Sequence, residues 1–285
     1  MALEFSRLVS RIMPRGQGIG IVVTGTGMVA FVVVLAVFAP YLTAYDPTRG
    51  VGPSLAGPSA DHLMGTTRLG YDVYSRILYG GRTILVVVLL STLISMIAGI
   101  PLGLLSGYFG GVVDRSVSVV MDSIYVFPGL ILAIAMAAVL GPGMVNTAVA
   151  IAIVYIPTYF RMARGQTFSI KEQTYIEAMR AIGAKASTIV FRHVLPNILP
   201  TLTVVFSLNV ADAVLTEAGL SFFGLSVPAP IPDWGYDLRA GQPFLPSGYW
   251  WLITFPGLMI IMLAIGFSLI GEGLNELTSP WVAKK

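Results

Sequence analysis

Six stretches of this chain are long and apolar enough to cross a lipid bilayer, and nothing else in the sequence constrains the fold as strongly. A spanning helix needs about 20 mostly apolar residues. Residues 19–42, 83–108, 116–140, 144–160, 191–215 and 249–270 form such runs. Inside hydrocarbon no water is available to backbone N–H and C=O groups, so each run must pair its own as a helix. The runs are continuous rather than alternating, which disfavours a transmembrane β-barrel. Composition agrees, with 55% hydrophobic and only 11% charged residues. Soluble domains carry about twice that share of charge. The expected fold class is an all-α polytopic membrane protein with six transmembrane helices, multi-pass in the cell membrane.

The first run follows Arg7, Arg11 and Arg15. It is too long for a secretory leader, whose apolar core spans about 7–15 residues, so it is expected to stay as the first span. Six spans place both termini on one side. With the N-terminus inside, the cytoplasmic segments hold twelve Lys and Arg and the outer segments five, namely Arg49, Arg68, Arg76, Arg82 and Arg239. The positive-inside rule then predicts N-in and C-in. Residues 43–82 and 216–248 become long outer connections. Gly99, Gly103 and Gly107 recur every fourth residue on the second span, a spacing that lets two helix backbones approach closely. Pro128, Pro196, Pro200 and Pro256 predict kinks, and Gly141-Pro142-Gly143 predicts a turn. Trp234, Trp250 and Trp251 are expected in the outer aromatic belt, and Asp114-Arg115 as an interfacial anchor.

Several function classes are excluded or disfavoured. There is no cysteine, hence no disulfide and no thiolate chemistry. His62 and His193 lack spacing suited to a metal. A net charge of +3 is too small to suggest a nucleic-acid partner. A phosphate-binding loop needs Gly-x4-Gly-Lys-Ser/Thr, and no Gly-Lys pair occurs. Gly183-Ala184-Lys185 lacks the second glycine. The chain itself therefore is expected to be no ATPase and to hold no cofactor.

Residues 172–200 carry Glu, Arg, Lys and His between two oily runs. Ile176, Met179, Ile182, Ala186 and Ile189 fall at helical steps, with Glu177, Arg180 and Lys185 elsewhere on the wheel. Gly183 is expected to end a short helix, and a second stretch from Ala186 to lead into the fifth span. Periodicity alone fits equally an amphipathic helix on the membrane surface.

Glu177-Ala178-Met179, then Gly183, then Val194-Leu195-Pro196 resembles the cytoplasmic EAA loop of ABC importer permeases. Met179 replaces the second Ala of that pattern, and His193 takes its Ile place. The stretch from His62 to Thr66, Leu69 to Arg76 with Gly80-Gly81-Arg82, Glu217 to Leu225 with Pro228, Asp233, Trp234 and Gly235, and Gly271 to Leu274 extend the resemblance to the C-type permease subunit of the dipeptide, oligopeptide and nickel branch. That branch usually has Arg where Tyr71 stands. The resemblance implies a type I ABC importer permease fold, with residues 1–82 as tail, first span and outer loop, and 83–285 as permease core holding a coupling loop at about 165–196. It implies a second homologous permease, two ABC ATPase subunits carrying ATP and Mg, and an extracytoplasmic substrate-binding protein as partners. Glu177, Ala178, Met179, Arg180, Ala181 and Gly183 would then touch the ATPases. Cargo stays open among peptides, oligosaccharides and nickel.

Acids in the spans bear on the path. Asn209 and Asp212 share a helix face, with Glu217 nearby. Two readings stand: these residues line the translocation path, Asp212 meeting the amino group of a peptide, or they bond to another helix or to the partner permease. Two readings from other classes remain. An ion-coupled secondary transporter would show internal repeats, which are not evident. A membrane enzyme would cluster His or acids within the spans.

Overall fold

The computed structural model describes residues 17–278. The tail arginines Arg7, Arg11 and Arg15, and Lys284 and Lys285, lie outside them. The helices are α1 (Gln17–Leu42), α2 (Val73–Phe109), α3 (Gly111–Tyr125), α4 (Gly129–Leu140), α5 (Met144–Lys171) and α6 (Thr174–Ala181). They continue with α7 (Ala186–Phe222), α8 (Trp234–Gly241) and α9 (Trp251–Thr278). Among the described residues there is no strand, only one isolated bridge between Thr66 and Asp72. Helices α1, α2, α5, α7 and α9 are each long and apolar enough to span a bilayer, and α3 with α4 makes a sixth if that bent pair is one span.

The third span is thus not the continuous helix expected over 116–140. It breaks at residues 126–128, and its halves meet at 91°. Pro128 has no N–H to continue the ladder, and its ring disfavours helical geometry at Phe127. Pro40, Pro101, Pro157, Pro200 and Pro256 are all absorbed inside helices. Pro196 is accommodated differently. A π-helical turn at Val190–Val194 stands just ahead of it, with the Leu195 N–H bonded to the Val190 carbonyl. Such a turn absorbs the mismatch where a proline removes a helical donor.

The second span begins ten residues earlier than the apolar run. Asp72 caps α2, accepting from the Ser75 N–H at 2.8 Å and from His62 Nδ1 at 2.9 Å. At 37 residues α2 is roughly 55 Å long by its rise per residue, far more than a bilayer needs. Its first turns therefore belong to the cap described below.

The core is built on glycine seams. Helix α2 packs most extensively on α5, through Gly99, Gly103 and Gly107. A Cβ at these positions would meet the Ile156, Phe160 and Arg164 carbonyls at 2.7, 2.5 and 2.8 Å, so only hydrogen fits between the two backbones. Helix α9 packs on α1 and α7 by the same device. Gly266 faces Gly25, Gly273 faces Gly18 and Val22, and Gly271 faces Leu208.

Residues 43–72 and 223–250 form a cap over the end of the bundle where α2 begins and α7 ends. Trp234 is fully buried, lies on Gly80 and Gly81, and donates Nε1–H to the Ile77 carbonyl at 2.8 Å. Trp251 is buried too and reaches the Thr66 carbonyl at 3.3 Å. Neither is the belt residue the sequence suggested. Each indole found a buried acceptor, which is worth more than a headgroup site. Of Trp234, Trp250 and Trp251, only Trp250 is half-exposed. Arg76, 1% exposed, donates to Asp237 at 2.8 Å and to the carbonyls of Pro47 and Pro230, so one guanidinium ties three cap segments. Burial pushes the Asp237 carboxyl up to about 6, against the lowering pull of Arg76.

Candidate functional site

Helix α6 has only eight residues, too short to persist alone in water. Packing on one face holds it. Ile176 is fully buried, and with Met179 and Ala184 it joins Leu104 of α2, Ala163 of α5 and Ile189, Val194 and Ile198 of α7. The helix ends as its sequence predicts. Gly183 adopts φ +82°, the Gly183 N–H bonds the Arg180 carbonyl at 3.0 Å, and the Ala184 N–H bonds the Met179 carbonyl at 3.0 Å. These two bonds form a Schellman stop, which needs a residue without Cβ strain at Gly183. The other face is open. Glu177, Ala178, Arg180, Ala181 and Gly183 are exposed, and Ile182 is 82% exposed. Met179 is half-buried and belongs to the inner face. Arg180 also stacks over the Tyr108 ring at 5.3 Å.

The same end of the bundle is cross-braced by charge. Arg164 of α5 grips Asp114 of α3 through two bonds of 2.5 and 2.7 Å, and Ser106 of α2 donates to the same carboxylate. Asp114 thus ties α3 to α5 and α2 through a charge-assisted fork. Lys171 Nζ donates to the Gly107 carbonyl at 2.8 Å, and Arg161 pairs with Asp122 at 2.7 Å while covering the Tyr125 ring. The apolar face of α6 packs against α2, α5 and α7 together at this end.

A second constellation lies midway along the bundle. A cavity of about 350 Å³ is lined by Gly129 and Leu130 of α4, Val154 and Tyr155 of α5, and Asp212, Leu215 and Thr216 of α7. The Tyr155 hydroxyl donates to Asp212 Oδ2 at 2.8 Å and lies 3.0 Å from Thr216 Oγ1. Asp212 is exposed, and no described Lys, Arg or His pairs with it. One turn along, Asn209 Nδ2 and the Tyr159 hydroxyl are buried without partners.

Glu217 is not on this cavity. It is fully buried at the cap end of α7, where Ser226 donates to Oε1 at 2.9 Å. Oε2 of Glu217 and Oδ2 of Asp233 are both buried without a hydrogen-bond partner. Asp233, fully buried, accepts from Ser221 and from the Gly235 and Tyr236 N–H groups at 2.9 and 3.1 Å, capping α8. In this structure Glu217 holds the cap to α7, and it is Asp212 that opens to space.

Residues 99–284 match the family described as binding-protein-dependent transport system inner membrane component. The chain belongs to that family. Relatives extend the match beyond those residues. The dipeptide transport system permease protein of Alkalihalophilus pseudofirmus is 38% identical over 260 residues, 90% of this chain and 85% of that one. The glutathione transport system permease protein of Pectobacterium atrosepticum is 39% identical over 257 residues, 88% of this chain and 84% of that one. The probable D,D-dipeptide transport system permease protein of Escherichia coli is 36% identical over 265 residues, 93% and 89%. In fold, the chain resembles the MetNI methionine ABC transporter, with a TM-score of 0.57 at 21% identity over 70% of this chain and 95% of that one. The architecture is the type I importer permease fold, and the chain is a multi-pass permease subunit of a transport system that depends on a binding protein.

For this permease the resembling motifs have physical reasons. The Gly80-Gly81 and Asp233-Trp234-Gly235 stretches meet face to face in the cap. The Gly271 and Gly273 positions are where α9 touches α7 and α1. Tyr71, at the usual Arg position, presents its ring to Arg76 at 5.2 Å. Sequence reading missed Tyr155, Arg164 and the Arg76–Asp237 pair as contributors. Arg76 and Asp237 are 161 residues apart, and no local pattern signals such a meeting.

Proposed function

We propose that this permease imports di- or oligopeptides, forming half of a translocation pathway with a homologous second permease. Two ABC ATPase subunits, which bind ATP and Mg, dock on α6, and an extracytoplasmic binding protein delivers peptide to the cap. The observation that carries the peptide reading is that similarity to permeases named for dipeptides, D,D-dipeptides and glutathione, itself a tripeptide, runs over nearly the whole chain. Oligosaccharide and nickel cargo have no such support.

The coupling reading draws support from the two faces of α6. The face bearing Ile176 is bound into three spanning helices, and the face bearing Glu177, Ala178, Arg180 and Ala181 is small, part apolar and open. A helix of that kind suits a groove on a partner. Residues 165–196 are assigned as the coupling segment of a core that runs to 285. The cavity beside Asn209 and Asp212 is assigned to the pathway. ATP-driven closure of the ATPases would swing the two permeases between inward-facing and outward-facing forms.

The test is reconstitution of the four-subunit complex with its binding protein in proteoliposomes. ATP-dependent uptake of a labelled dipeptide is expected, and substitution of Glu177 or Gly183 should weaken co-purification of the ATPases. Uptake driven by an ion gradient with this chain alone would overturn the reading.

A further inference from the structure

Asp212 sits at the wrong depth for an idle carboxylate. At about 1.5 Å per residue it lies roughly 15 Å below the cap end of α7 at Phe222, near the middle of a hydrocarbon layer about 30 Å thick. A charge there is costly unless it faces a partner or a water-filled cavity. The cavity supplies such a space, with Gly129 and Leu130 at the start of α4 lining it opposite Asp212. Its size of about 350 Å³ falls in the range of small-ligand sites.

We infer that Asp212, held by the Tyr155 hydroxyl, is the subsite that takes the ammonium group of a peptide as it crosses. This rests on the peptide-import reading above. The chemistry is complementary. A carboxylate without a described cation partner can accept two or three N–H bonds from a primary ammonium. Tyr155 supplies one neutral donor to Oδ2, fixing the carboxylate while leaving Oδ1 open. Thr216, 3.0 Å from the same hydroxyl, orients the tyrosine. Tyr155 is a positioning residue, and Asp212 is the binding residue.

The experiment uses the assembled complex with its binding protein in proteoliposomes, scoring uptake of a labelled free-amine dipeptide and subunit composition side by side. Asp212→Asn should lower uptake by about ten- to a hundredfold, the worth of one charge-assisted hydrogen bond. Asp212→Glu should recover part of the loss, and Tyr155→Phe should cost several-fold. All three complexes should keep both permeases. If Asp212→Asn takes up peptide at the wild-type rate, the inference fails and the import reading stands. If the variant complex loses its second permease, Asp212 is an inter-subunit contact and the inference also fails. If the wild-type complex takes up no peptide, the import reading itself fails.

Discussion

Gly103→Ala is the sharpest probe of how this bundle is held. A Cβ there would lie 2.5 Å from the Phe160 carbonyl, 2.7 Å from Ala163 Cβ and 2.9 Å from the Arg164 nitrogen, whereas ordinary contact begins at 3.4 Å. Two of these three atoms are backbone, so no rotamer change relieves the clash. Helices α2 and α5 must part by about 0.9 Å at that level, a gap that forfeits roughly a quarter to a half of each dispersion contact along the seam. Overpacking of this kind costs about 1–3 kcal/mol. Helix propensity gives back up to about 1 kcal/mol, since alanine replaces glycine. The net expectation is a loss of about 1–2 kcal/mol. Gly165→Ala on the facing helix is the control, because a Cβ there meets nothing within 4 Å. It should be neutral or slightly stabilising. Thermal or denaturant unfolding of the detergent-solubilised complex compares the two. Equal midpoints for the two variants would refute the close-seam argument.

Three further outcomes follow from the same geometry. Gly183→Val places a β-branched residue at φ +82° and should cost about 1–2 kcal/mol locally; ATPase co-purification should fall while the bundle's unfolding midpoint holds, and Gly183→Asn should be milder. Glu217→Gln keeps an oxygen that accepts from Ser226 and should unfold near the wild-type midpoint, whereas Glu217→Ala leaves the buried Ser226 hydroxyl without its acceptor and should lose about 1–3 kcal/mol. Asp237, raised by burial from 3.8 to about 6, binds its proton more tightly folded than unfolded. Its contribution to cap stability is therefore full below pH 3.8 and lost as pH rises through 6. Asp237→Asn should flatten the stability profile across that window, read as unfolding midpoint against pH.

How much was legible from the residues differs by feature, for physical reasons. The number of apolar crossings, the small helix around Glu177 and its stop at Gly183 are local, each written in a hydrophobic period or a glycine. The glycine repeat on α2 was likewise legible, though not that its partner would be the α5 carbonyls. Span limits were not. Val73 to Arg82 carries Arg76 and Arg82 and reads as loop, yet Asp237 of the cap accepts from Arg76 and the Ala36 carbonyl of α1 accepts from Arg82, which lets the helix run on. Pro128 and Pro200 look alike in sequence. One breaks its helix and the other does not, because neighbours decide whether a freed carbonyl can be re-satisfied.

By itself the sequence determined that this chain lives in a bilayer as helices, since no other arrangement of so many apolar residues pairs its backbone there. It also determined where a short polar helix must interrupt the oil. Only the tertiary structure decided what each charge does. Asp114 on α3 and Asp212 and Glu217 on α7 are the same chemistry. One is forked by an arginine, one opens to a cavity in the bundle, and one accepts from a cap serine. The energy of a carboxylate in low dielectric depends on what stands within a few ångströms, and those neighbours come from distant parts of the chain.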